Sequence, residues 1–312
     1  MTGKARFILR IKNFICVTAV AVLFNSCNSQ TEQSGDEETL EKGTIHISAD
    51  ESFKPVIDSQ IQVFESSYPD AKIIAHYKPE AECLKDFAVD SIRMVIATRG
   101  YTESEERFMS DSMRINPSKL VVAYDAIAVI VNPGSADTLF TMTEIKDLIQ
   151  GRSAKKLAPV FDGVSATSTV RFVIDSVLNG QSLGANVTAA KSSEEVIDYV
   201  SKTANAVGFI GVSWVGNKED STQLSYLQKV KVAQIESTNE PGVYVSPAQY
   251  NIYYRRYPMV RDLVYVLKEK NTGVGHGFAY FLSGQRGQLI FKRSYLTPAQ
   301  MQLNVRNASL RE

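Results

Sequence analysis

An α/β fold built on mainly parallel strands is the class this chain predicts, and three observations predict it. From Thr44 onward, short apolar strands alternate with amphipathic helical segments, the pattern of a parallel sheet flanked by helices. Three of those strands run straight into short turns rich in hydroxyl side chains, and open α/β sheets place ligands beyond the carboxyl ends of their strands. Residues 120–131 form an apolar run longer than an ordinary strand, interrupted by Tyr124-Asp125, which can serve two sheets in succession where a chain crosses between lobes.

The first 26 residues carry Lys4, Arg6, Arg10 and Lys12 and no acid, followed by an apolar run over 14–24. That run is too short for a bilayer, which takes about 20 residues, and it fits the core of a secretory signal. It ends in Leu23-Phe24-Asn25-Ser26-Cys27, which resembles the lipobox of bacterial lipoproteins, with Cys27 as the lipidated first residue. An ordinary cleaved signal with an incidental Cys is the alternative. Four of the 34 basic residues lie in this leader, so the remainder holds 30 against 34 acidic residues, a net charge of −4. Phosphate-backbone binding needs a basic face, so nucleic acid is not an expected partner. Cys16 leaves with the signal and Cys27 takes the lipid, which leaves Cys83 alone as a small buried or half-buried side chain. Residues 28–43 are polar, acidic and free of aromatics, a composition that reads as a tether between membrane and body.

The body begins with a strand at 44–48. After Asp50-Glu51-Ser52-Phe53 a helical stripe follows, with Pro55 in its first turn and Ile57, Ile61 and Phe64 on one face. A strand at 71–75 and a helix near 81–89 come next. The fully apolar strand 92–97 then ends in Thr98-Arg99-Gly100. Thr102 with Glu105, and Thr141 with Glu144, are capping boxes that start helices. Asn132-Pro133-Gly134 is a turn, and residues 206–211 and 230–235 read as strands. Val260, Leu263, Val264 and Leu267 form a helical stripe that, with 250–254, returns to the first lobe, and the segment from Gly273 packs as helices.

The strongest local signal is Ser165-Ala166-Thr167-Ser168-Thr169. It follows a strand at 157–161 and precedes Val170, Val173, Ile174, Val177 and Leu178, spaced to give a helix one buried face. Such a helix start exposes unpaired N–H groups, so its hydroxyls either cap the helix or donate to an anion. Ser52 and Phe53 follow the first strand, and Thr98 with Arg99 follows the apolar one; neighbouring strands would bring these turns together. Arg99 and Arg171 are the candidate cations, as guanidinium groups suit oxyanions, with surface ion pairs as the other reading. Asp125 interrupts an apolar strand and must be paired, either as a hinge residue or as an acceptor for a ligand proton. Asp162 poses the same question with a solvent-exposed placement. His46, His76 and His276 are scattered, outside any nucleophile or metal-ligand spacing, and His46 reads as a surface position. Gly273-Val274-Gly275-His276-Gly277 follows no strand and is not read as a dinucleotide loop.

Several stretches together resemble the PstS-like phosphate-binding proteins of bacterial ABC transporters, in the type II periplasmic-binding superfamily. They are Tyr124-Asp125-Ala126-Ile127-Ala128-Val129-Ile130-Val131-Asn132, Ala206-Val207-Gly208-Phe209-Ile210-Gly211, Tyr257-Pro258-Met259-Val260-Arg261, and Gly277-Phe278-Ala279-Tyr280-Phe281-Leu282 with Gly284, Gly287 and Gln288. The resemblance covers roughly 43–306. It implies a two-lobe α/β fold, each lobe a mainly parallel sheet flanked by helices, joined by two crossing segments. Lobe 1 is then 44–125 plus 250–312, and lobe 2 is 126–249. The implied ligand contacts are Ser52, Phe53, Thr98, Arg99, Ser165, Thr167, Ser168 and Thr169. Two positions depart from the family pattern. Gly100 and Tyr101 stand where an Asp usually accepts the phosphate proton, and Phe161-Asp162 stand where an Arg usually precedes the hydroxyl loop. Arg171 is the expected substitute for that Arg.

The expected protein is a monomeric, exported, lipid-anchored binding protein. It captures inorganic phosphate or a related oxyanion for ABC permease subunits, and it requires no enzymatic activity, cofactor or metal. The alternatives are a binder of another oxyanion and a sensory or scaffold protein that keeps the fold.

Overall fold

The computed structural model describes residues 38–302 other than 115, 164, 270 and 271. The signal at 1–26, Cys27 and most of the tether lie outside the described residues. The described stretch opens with Glu38, whose carboxylate accepts both Arg93 nitrogens, at 2.9 and 2.6 Å, and the Val274 N–H.

The first strand, β1 (Gly43–Asp50), ends in a tight turn over Glu51–Phe53 and feeds α1 (Lys54–Ser67), where Pro55 sits in the first turn as its ring allows. Then follow β2 (Ala71–Lys78), α2 (Glu80–Asp86), β3 (Ile92–Ala97) and α3 (Glu103–Phe108), the last opened by the Thr102–Glu105 capping box. The long strand β4 (Ser118–Val131) leads to β5 (Leu139–Phe140) and α4 (Met142–Ile149), whose capping box is Thr141–Glu144. Next are β6 (Ala158–Phe161), the hydroxyl loop and α5 (Ser168–Phe172), which runs into a wider π-helical turn over Val173–Val177. After these come β7 (Thr188–Ala189), α6 (Ser193–Lys202), β8 (Ala206–Gly211) and α7 (Ser221–Lys229). Three short strands follow: β9 (Lys231–Val232), β10 (Gln234–Glu236) and β11 (Tyr244–Val245). The chain then forms α8 (Gln249–Tyr253), β12 (Val260–Leu267), α9 (Val274–Ser283), α10 (Gln285–Arg293) and β13 (Thr297–Pro298).

The main sheet runs β2-β1-β3-β12-β4-β8-β6-β7, with β9 and β13 also pairing β4. The outer pairs β1·β2, β1·β3, β6·β8 and β6·β7 are parallel, whereas β12 and β4 at its centre pair antiparallel with each other and with their outer neighbours. The length of β4 is what joins the two halves. Ser118–Ala126 pairs with β12, and Ile127–Val131 pairs with β8. Beneath the second half, Phe161 and Phe209 stack with centroids 4.6 Å apart. No helix among the described residues is long and apolar enough to cross a membrane. Cys83 is a free, buried thiol.

Three expectations need correction. Val260–Leu267 is a strand, not a helix: it sits between β3 and β4 with nearly every residue buried, so its apolar positions follow burial on both faces and no single period. Asp162 is buried, 6% exposed, because the loop after β6 folds back over it. His46 is half-buried, its Nδ1 lying 2.9 Å from His76 Nε2 on the neighbouring strand.

Gly208 on β8 lies under α6. A Cβ there would come within 2.7 Å of Val196, 2.8 Å of Ile130 and 2.9 Å of Val200. Gly208→Ala is therefore expected to lower the unfolding free energy by about 1–3 kcal/mol in a denaturant titration, through overpacking.

Candidate functional site

The site is assembled at the carboxyl ends of β1 and β6, against the centre of the sheet. Ser52 follows β1 and is fully buried; its N–H donates to Asp50 Oδ1 at 3.1 Å. Its carbonyl accepts the Ser213 hydroxyl at 3.1 Å and Trp214 Nε1 at 2.9 Å, from the turn after β8. The hydroxyl loop after β6 turns through Ala166 at φ +71°, a left-handed conformation that costs an L-residue about 1–2 kcal/mol. Thr167 caps α5 by accepting the Val170 N–H. Ser168 and Thr169 begin the helix and are fully buried. The loop thereby brings Ser168 Oγ to 3.3 Å from Ser52 Oγ, 116 residues away in sequence.

The cation at this meeting point is Arg261, from the middle of the sheet. It lies opposite Asp125 in the β12·β4 register and is 4% exposed. Nε donates to Asp125 Oδ2 at 2.7 Å, and Nη1 donates to Ser168 Oγ at 2.8 Å and Thr169 Oγ1 at 3.4 Å. The guanidinium stands 5.0 Å over the Phe53 ring, and Nη2 is buried without a hydrogen-bond partner. Gly211 makes room for it: a Cβ there would lie 3.0 Å from Nη2. Burial pushes Asp125 up, against the pull of the Arg261 charge; the reading of Asp125 as a carboxylate that needs a partner is thus answered within the protein.

Asp162 closes the group. Its carboxylate accepts Thr167 Oγ1 at 3.0 Å, Thr169 Oγ1 at 3.3 Å and Ser52 Oγ at 3.4 Å. Burial raises its pKa, opposed by the Thr167 bond and the Arg261 charge.

A second group lies beside the first. Glu80, almost fully buried at the start of α2, accepts the Thr98 N–H at 2.9 Å and hydroxyl, and Arg171 Nε at 2.5 Å. Arg171 Nη2 also donates to Thr98 Oγ1 at 2.6 Å. Burial pushes the Glu80 carboxyl up, but bonds and charge from Arg171 and Thr98 hold it below the usual range. The Ala81 N–H donates to the Ala166 carbonyl at 2.9 Å, and Ser193 donates to Glu51, so the two halves touch directly. An open cavity of about 470 Å³ adjoins this group, with Arg99, Tyr101, Ser165 and Arg171 in its wall. Arg99 there chelates Glu105 at 2.9 and 3.1 Å.

The structure therefore gathers Ser52, Phe53, Thr167, Ser168 and Thr169 in one place and Thr98 with Arg171 in an adjoining one, while Arg99 and Ser165 stand at the cavity. Arg261, Glu80, Asp50 and Glu51 were not singled out from the sequence. For Arg261 a signal exists: an Arg-Asp pair inside an apolar run, matched by Asp125 inside another.

Burial pushes Asp50 from 3.8 and Glu51 from 4.5 up to about 7, aided by neighbouring carboxylates and opposed by Arg261 and Ser193 respectively. The folded state then keeps protons that the unfolded chain releases between about pH 4 and pH 7, so these groups contribute stability at the acid end that is lost as pH rises. Denaturation midpoints measured across that window are expected to fall with rising pH, and less steeply in Asp50→Asn.

Comparison with known proteins accords with this architecture. A family model described as a PBP superfamily domain matches residues 34–285. No curated protein matches the sequence. Among solved structures, the chain is similar to one described as a phosphate ABC transporter substrate-binding protein with bound phosphate from Clostridium perfringens, at 20% identity and TM-score 0.69, over 82% of this chain and 100% of that one. It is also similar to an ABC-type phosphate transport receptor from Vibrio cholerae, at 16% identity and TM-score 0.59, over 81% and 99%. A sulfate-bound mutant of the OxyR2 regulatory domain from Vibrio vulnificus matches at 11% identity and TM-score 0.51, over 80% and 97%. The chain belongs to the PBP superfamily and has its two-lobe, type II periplasmic-binding fold.

Proposed function

We propose that this protein captures inorganic phosphate, or a close oxyanion, between its lobes and hands it to an ABC permease. Arg261 carries the reading: a buried guanidinium with one nitrogen unpartnered, beside three buried hydroxyls, is a donor set made for a desolvated oxyanion. Ser52 on lobe 1 and Ser168 and Thr169 on lobe 2 supply neutral donors. An anion held by both lobes favours closure by the contacts it makes only in that state. Thr98 and Arg171, joined through Glu80, line the approach, with Arg99 and Ser165 at its opening. Lobe 1 comprises 44–125 and 250–312, of which 303–312 lie outside the described residues, lobe 2 comprises 126–249, and Cys27 holds the monomer to the membrane by its lipid. The phosphate named for the Clostridium and Vibrio cholerae structures supports this choice of anion.

One observation favours a second reading, a sensory or scaffold protein. Ser52, Thr167 and Thr169 already donate to Asp162, and the lobes already bond through Glu80–Arg171 and Glu51–Ser193.

Calorimetric titration with phosphate, sulfate and arsenate separates the readings, and a bound anion raises the melting temperature with its concentration relative to its Kd. Phosphate is expected to raise it, Ser168→Ala to weaken binding about tenfold or more, and Arg261→Lys to weaken it further, since the ammonium has no planar fork. Arg99→Ala should leave affinity unchanged. Binding untouched by Ser168→Ala and Arg261→Lys would remove this site, and no response to any of the three anions would favour the sensory or scaffold protein.

A further inference from the structure

The hydroxyl cradle grips an anion that belongs to the protein itself. Asp162 takes hydroxyl donors from both sides of the cleft, Ser52 from one lobe and Thr167 and Thr169 from the other. An oxyanion oxygen would ask for the same donors, and a hydroxyl has a single proton to give. Space is contested as well. Ser52 Oγ and Ser168 Oγ are 3.3 Å apart, a hydrogen-bond separation that leaves no place for a tetrahedral anion between them. The charges point the same way. Arg261 is matched by Asp125 and Arg171 by Glu80, so Asp162, with Asp50 and Glu51 beside it, leaves the cradle acidic toward an incoming anion.

We propose that Asp162 is a built-in surrogate for the oxyanion, one that occupies the Ser52, Thr167 and Thr169 donors, joins the Glu80–Arg171 and Glu51–Ser193 contacts in holding the unliganded lobes together and weakens phosphate binding until the ligand displaces it. This rests on the reading that the cradle takes an oxyanion. Displacement is local: Asp162 directly follows β6, and rotation of its side chain releases Ser52 and Thr169 without unwinding α5, whose cap is the Thr167 hydroxyl.

Asp162→Asn keeps the shape and an acceptor for Thr167 but removes the charge; Asp162→Ala removes both. By calorimetry, both variants are expected to bind phosphate at least about tenfold more tightly than the wild type. By small-angle X-ray scattering, the unliganded wild type should have the radius of gyration of the closed form, and both unliganded variants a larger one. Unchanged or weaker phosphate affinity in the folded variants overturns the proposal, because Asp162 is then structural or accepts the ligand's own proton. An open unliganded wild type overturns it as well, with no dependence on how the variants fold. If no form of the protein binds phosphate, the phosphate reading fails by itself. The scattering then decides for the surrogate if the variants open and against it if they stay closed.

Discussion

One buried ion pair organises the centre of this molecule. Arg261 and Asp125 face each other across β12 and β4, with the guanidinium and the carboxylate both removed from water. Leaving either charge alone there would cost about 3–5 kcal/mol, so the pair constrains both strands at once. The carboxylate takes Nε, the Phe53 ring lies beneath the planar face, and Gly211 leaves the space that a side chain would fill. What remains of the guanidinium is aimed at Ser168 and Thr169. Because β4 pairs with strands of both halves, the cation sits where the lobes join, and neither lobe holds it alone.

Around that pair, acids outnumber bases. Asp50, Glu51, Glu80, Asp125 and Asp162 cluster against Arg171 and Arg261. Such a group holds together only where each carboxylate finds donors or a proton. Glu80 finds Arg171 and Thr98, and Asp162 finds three hydroxyls, whereas Asp50 and Glu51 are pushed toward protonation by burial. The interlobe contacts arise from the same need. Glu80 reaches Arg171 and Glu51 reaches Ser193 because a buried carboxylate without a partner is costly in a low dielectric. Interlobe contact and charge satisfaction are one problem in this protein, and the anionic ligand proposed above would enter a balance already set.

The local features were legible in the residues. Both capping boxes start the helices they mark, since Thr102–Glu105 and Thr141–Glu144 satisfy their own orphan N–H groups without help from elsewhere. The unusual length of β4 and the hydroxyl loop before α5 are likewise properties of contiguous sequence. The spacing within β12 misled because a central strand buried on both faces has no polar side to set its period.

Sequence alone determined the α/β class, the helix starts, the hydroxyl turns at the strand ends and the need of Asp125 for a partner, because each follows from neighbours in the chain and from the cost of burying a charge. Only the tertiary structure decided which cation meets the hydroxyl turns, since Arg261 faces Asp125 through strand register across 136 residues and reaches Ser168 and Thr169. It also turned Arg99 to Glu105 and Arg171 to Glu80, and it buried Asp162 among hydroxyls that the sequence offered to a ligand. Hydroxyls and guanidinium groups accept many partners, and packing alone selects among them.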